Sequence, residues 1–202
     1  MDWKAIPDDQ TIEKVINALK PRGIDSEVVE TGREANKRVM ELLPQGARVL
    51  TSTSVTLETI GVHDEIEESN KVKSVRKEYM ALNHDKDGAK IRELRSTPDY
   101  IIGSVHAVTH DGQVLIASNT GSQIGVYAYS AMHVIWVVGA QKIVKDFYEG
   151  MKRINEYIVP LEEKHMQSLY GKGTNLSKLL VVNKEVVPER IKLIFVKEVL
   201  GF

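Results

Sequence analysis

The sequence predicts an α/β fold built on a mainly parallel sheet, and three features of it do so. Before Gly61, apolar residues alternate between helical and strand spacing. Residues His133 to Val138 (HVIWVV) form an apolar, β-branched run without alternation, as a strand covered on both faces requires. A helical stripe follows that run: Phe147, Met151, Ile154, Tyr157 and Ile158.

Ile12, Val15, Ile16 and Leu19 stripe a first helix that starts after Pro7-Asp8-Asp9 and stops at Pro21 and Gly23. Ser26 to Val29 follows as a short strand. Ala35, Val39, Leu42 and Leu43 stripe a second helix, ended by Pro44 and Gly46. Arg48 to Leu50 is the next strand, opening into Thr51-Ser52-Thr53-Ser54 and a helix with Leu57 and Ile60, closed by Gly61. The stretch from Glu65 to Ser96 is polar, and its run Lys71, Lys73, Arg76 and Lys77 reads as a solvated helix face rather than an anion patch. Tyr100 to Ile102 is a strand, and Val105 to Thr109 pairs with Gln113 to Ile116 across Asp111-Gly112, a strong hairpin signal. The helix from Val144 is expected to end at Pro160 and to pack on the sheet holding His133 to Val138. Leu179 to Val182 and Lys192 to Lys197 are the last strands, with Pro188 between them.

With 202 residues and 42% hydrophobic content, the chain is expected to form one domain over 1–202, residues 1–24 being an N-terminal helical segment. Lys and Arg total 27 against 28 Asp and Glu, a net charge of -1, so no global field favours nucleic acid or an anionic membrane. No cysteine is present, which removes disulfides, thiolate nucleophiles and Cys-held metal; any redox metal is expected on a partner. Met1 to Asp9 has no signal-peptide pattern and no apolar run is long enough to span a bilayer, so a cytoplasmic location is expected.

In open parallel sheets ligands bind beyond the carboxyl ends of the strands. Two loops qualify: Thr51, Ser52, Thr53 and Ser54 after the second strand, and Ser118, Asn119, Thr120, Gly121, Ser122 and Gln123, which leads toward Val126 and Ala128. Both offer small residues, hydroxyls and, where a helix follows, free amides for a phosphate or carboxylate; ordinary N-capping uses the same residues. The second loop carries more: Gly121 admits close backbone approach, and Asn119 and Gln123 add directional amides. Gly139, at the end of the buried run, joins the candidate ligand-binding set.

Other chemistries fail on context. His106 and His110 are four apart with Asp111 adjacent, but four residues of strand span about 13 Å, so both imidazoles cannot reach one ion. His133 reads as a core histidine; His63, His84 and His165 sit in polar contexts that decide nothing. Gly121-Ser122-Gln123-Ile124-Gly125 spells a nucleophile elbow, yet Ser118 to Thr120 separate it from an apolar strand. The sequence assigns no metal, no cofactor and no catalytic residue.

The block Ala117-Ser118-Asn119-Thr120-Gly121-Ser122-Gln123, the run His133 to Val144, and Arg153-Ile154, Tyr157 and Pro160-Leu161-Glu162 resemble the LUD domain, the lactate utilization family of LutC and YkgG type. The resemblance covers roughly residues 30 to 200, Thr53 to Gly61 matching the family's turn-helix element. It implies a Rossmann-like three-layer sandwich akin to the NagB/RpiA/CoA-transferase group. It also implies a part in oxidising L-lactate to pyruvate beside iron–sulfur protein subunits, with which the absence of cysteine agrees. Many relatives carry Ala-Glu-Thr-Gly at the hairpin turn, where this chain has Val108-Thr109-His110-Asp111-Gly112; Asp111 there reads as a turn former.

Three functions follow as expectations. The first is an accessory or substrate-handling subunit of a lactate-oxidising system, binding a small carboxylate or phosphorylated ligand at the two loops. The second is an independent transferase or isomerase-type enzyme acting on a CoA thioester or phosphorylated small molecule. That enzyme would need a carboxylate converging on the Asn119 loop, with Glu78, Asp99 and Glu162 as candidates. The third is a non-catalytic interaction module. A homo-oligomer is compatible with each.

Overall fold

The computed structural model describes residues 1–171 and 173–202. Its main sheet has six strands, all parallel: β1 (Ile24–Val29), β2 (Arg48–Thr51), β3 (Lys73–Ser74), β4 (Tyr100–Gly103), β7 (His133–Gly139) and β10 (Ile191–Val196). Their order is β1-β10-β7-β4-β2-β3. The HVIWVV run is therefore central, paired on both sides. Its side chains alternate between two cores: Val134, Trp136 and Val138 face one, Ile135 and Val137 the other. Burial on both faces removes any reason for polar alternation, which is why the run is continuously apolar.

One face is covered by α2 (Gly32–Leu42), α3 (Val55–Thr59) and α4 (Val62–Glu68), through Ala35, Val39, Leu57, Val62 and Ile66. The other is covered by α1 (Asp9–Leu19), α5 (Val75–Met80) and α6 (Gly88–Ser96), through Ile12, Val15, Leu19, Val75, Tyr79 and Ile91. Asp8 caps α1 by accepting from the Thr11 amide at 2.8 Å, and Thr31 caps α2 in the same way from Glu34 at 3.2 Å. The polar middle segment thus holds two short helices whose apolar positions are too few to show a stripe. Its basic run is spread over a bend with Lys71, strand β3 with Lys73 and helix α5, where Arg76 pairs with Glu67 at 3.4 Å and Lys77 donates to the Glu67 carbonyl at 3.4 Å.

A second sheet completes the fold. It joins β5 (Ala107–Thr109), β6 (Val114–Ser118), β8 (Ile143–Val144) and β9 (Lys178–Val182) in the order β8-β5-β6-β9. The Asp111-Gly112 hairpin is its centre, with Ala107 opposite Leu115, Val108 opposite Val114, and Gly112 at φ 85°. Val108, Val114 and Ile116 face the first core; Ala107, Leu115 and Ala117 face α7 (Phe147–Arg153) and the π-wound turn at Ile154–Ile158.

This corrects two expectations for the late helix. It packs on the second sheet, not on the sheet of β7. It also does not end at Pro160: α8 runs Val159–Tyr170. Pro160 stands in the first turn of α8, directly after the π-wound turn, where a missing N–H breaks least.

Candidate functional site

Both candidate loops leave the carboxyl ends of strands, β2 and β6, and meet at one cavity of about 330 Å3. Ser52, Thr53 and Ser54 line one side; Ser118, Asn119, Thr120, Ser122 and Gln123 line another. The remaining wall comes from Ser104 and His106, from Lys142, and from α8 with Leu176 and Phe202. Three expected site residues are not on this wall. Thr51 points elsewhere, its hydroxyl 3.1 Å from His63 Nδ1. Gly121 lies beneath the loop, where a Cβ would sit 2.6 Å from the Lys178 side chain. Gly139 is closed off by the C-terminal segment: a Cβ would meet the Glu198 carbonyl and the Leu200 amide, each at 2.9 Å. Its smallness serves packing.

The first loop is fixed from behind. Tyr127 donates its hydroxyl to Ser52 Oγ at 3.0 Å in a buried contact, and burial pushes the phenol pKa up, the Ser52 bond offsetting only part of it. Gly103 makes room for this bond, since a Cβ there would lie 1.7 Å from the Tyr127 oxygen. The second loop is tied mainly to itself: Ser118 Oγ accepts from the Gly121 amide at 2.9 Å, and Thr120 Oγ1 from the Ser122 amide at 3.3 Å. The start of β9 and the residue before it add two bonds, with Ser177 donating to Asn119 Oδ1 at 3.1 Å and Lys178 to the Asn119 carbonyl at 3.2 Å. Ser122 Oγ has Gln123, not a histidine, as its partner at 3.3 Å, so no hydroxyl is activated there. The chain continues into a π-wound turn at Val126–Ser130 instead of a long helix, so this loop does not lead into an α-helix N-terminus.

The sequence alone did not single out the cation of this site. Lys142, in the short turn after β7, is 3% exposed and donates to Thr56 Oγ1 at 3.0 Å and to Ser104 Oγ at 3.1 Å. Burial, reinforced by the Arg153 charge, lowers its pKa to about 7. No carboxylate is in ion-pair contact with it among the described residues. His106 Nδ1 accepts from the Ala117 amide at 3.1 Å, which leaves its proton on Nε2, and burial with Lys142 and Arg153 lowers its pKa to about 3. His110 lines a different recess with Lys14 and Asp146, so the two hairpin histidines serve separate surroundings. Arg153 is fully buried behind the second sheet, its guanidinium 5.1 Å from the Tyr157 ring centre and 5.9 Å from that of Trp3.

Of the three candidate carboxylates only Glu162 reaches the cavity, and burial raises its pKa. Asp99 accepts from the Arg48 amide at 2.8 Å and Glu78 pairs with the Arg48 side chain at 3.3 Å, both elsewhere. The cavity therefore joins a buried amine that gains or loses its proton near neutrality, a carboxyl held toward its protonated form, and a rim of hydroxyls and amides. That set can hold a small anion and move a proton at its edge. Among the described residues no group of His, Asp and Glu has the geometry to hold a metal ion, and no helix is long and apolar enough to cross a membrane.

The model of the LUD domain family matches residues 12–196. The fold is similar to that of a DUF162 family protein from Deinococcus radiodurans, with a TM-score of 0.57 at 14% identity, covering 93% of this chain and 96% of that one. No curated protein matches the chain. The chain belongs to the LUD domain family, a family associated with lactate utilization.

Proposed function

With LUD-family membership as the premise, we propose that this protein is an accessory or substrate-handling component of a system that oxidises L-lactate to pyruvate. It would act in the cytoplasm as one unit over residues 1–202, with partner subunits carrying the iron–sulfur clusters. Its ligand, a small carboxylate or phosphorylated molecule, binds between the Ser52–Ser54 and Ser118–Gln123 loops. The supporting observation is that two loops far apart in sequence share one cavity with a buried, unpaired lysine. A buried ammonium without a counter-charge is costly, and an anionic ligand relieves that cost.

Thermal unfolding in millimolar lactate, pyruvate, CoA or a sugar phosphate tests the ligand. A ligand at a hundred times its Kd stabilises by about 2.7 kcal/mol. No shift with any of them would remove the ligand-handling role. Co-purification with a cysteine-rich partner, enhanced by lactate, is expected of the accessory role.

Glu162 favours a second reading, an independent transferase or isomerase-type enzyme acting on a CoA thioester or phosphorylated small molecule. With Lys142 it gives the cavity an acid and a base. Turnover by the isolated chain, lost in Glu162→Gln, would favour the enzyme; binding without turnover favours the accessory role.

A further inference from the structure

We propose that the cavity takes an organic acid with an apolar body longer than that of lactate, its carboxylate on Lys142 and its body along α8. This rests on the cavity being the ligand site and adds the shape of the ligand.

The head end is set by Lys142. An ammonium has three donors, and Thr56 and Ser104 take two of them. Thr56 is itself committed, donating to the Leu200 carbonyl at 3.2 Å. The surrounding charges leave room for one negative group. Arg153 repels the ammonium, His106 is uncharged at neutral pH, and the remaining titratable groups on the wall are Glu162, His165 and Glu58. With Lys142 as the lysine of the wall and one of its donors left, the head suits a single carboxylate better than a dianionic phosphate.

The body end is apolar. Ile158, Val159, Met166 and Leu169 lie on the cavity side of α8 and the turn before it, at spacings that share one helical face. Leu176 and Phe202 add to that wall. Leu169 stays 58% exposed, an apolar surface that a ligand body would cover. A volume of about 330 Å3 falls within the range of pockets for drug-sized ligands, whereas lactate has only a three-carbon frame.

The test is calorimetric titration of the full chain with straight-chain 2-oxo acids from pyruvate upward, with an alkyl phosphate as the competing head group. Affinity is expected to rise about fourfold for each methylene buried. Leu169→Ser, at an exposed position on that wall, should reduce that gain. Lys142→Met should weaken every acid by about tenfold or more. Wild-type affinity should also fall as pH rises above about 7, where Lys142 loses its proton, and the Met variant should lose this dependence. Equal affinity along the series would overturn the apolar body, and wild-type affinity in Lys142→Met would overturn the head. Tighter binding of the alkyl phosphate would replace the carboxylate. If wild type binds no anion at all, the ligand site itself is refuted. A flat series that still depends on Lys142 refutes only the ligand shape.

Discussion

The two loops that meet at the cavity are built in opposite ways. Thr51 and Ser52 are buried at 2% and 7% exposure, and each spends its hydroxyl on a core partner, His63 and Tyr127. Asn119, Thr120 and Ser122 are exposed and satisfy each other or strand β9. Two hydroxyl-rich stretches thus divide the work: Thr51 and Ser52 are scaffold, and the other loop keeps groups that a ligand can claim. A hydroxyl-rich loop is a binding loop only where the core has not already used its hydroxyls.

The largest expected effect tests what the loops share, an uncharged histidine beside each. His63 holds Thr51, and His106 holds the Ala117 amide just before Ser118. Their pKa values are lowered to about 4 and about 3, so the unfolded chain takes up protons that the folded one refuses. Stability is then fully present above the ordinary value near 6.5 and is lost as pH falls toward those lowered values, by about 3 kcal/mol for each imidazole near pH 4. Urea unfolding between pH 7 and 4 measures it, and His106→Gln should flatten the dependence.

Gly103→Ala separates the loops. Its Cβ would collide with the Tyr127 oxygen and stand 2.6 Å from Ser52 Oγ, so the scaffold loop should lose about 3 kcal/mol in thermal unfolding. Tyr127→Phe leaves Ser52 without its buried donor and should cost about 1.5 kcal/mol, part of which Ser52→Ala restores in the double variant. Smallest in stability, Asn119→Ala and Ser122→Ala should stay within about 0.5 kcal/mol of wild type while weakening ligand binding. Destabilisation of several kcal/mol by Ser122→Ala would erase the contrast between the loops.

Much of this division could not be seen in the sequence. The strand of Trp136 was legible because burial on both faces writes an unbroken apolar run, and the Asp111-Gly112 hairpin because its turn needs those residues. Helices α5 and α6 were hidden, since Val75, Tyr79 and Ile91 are single anchors in polar surroundings. Glu162 stood among the candidate carboxylates, but nothing local separates it from Glu78 or Asp99. Lys142 left no signal: it follows the buried strand as one more lysine, and only folding encloses it.

The sequence by itself determined the periodicities, the turns and the family, because these depend on neighbours a few residues apart. The tertiary structure decided which sheet the late helix covers, which hydroxyls are spent and which lysine is left without a counter-charge. Those outcomes depend on burial and on partners distant in the chain, and burial sets both the cost of a charge and the need for its partner.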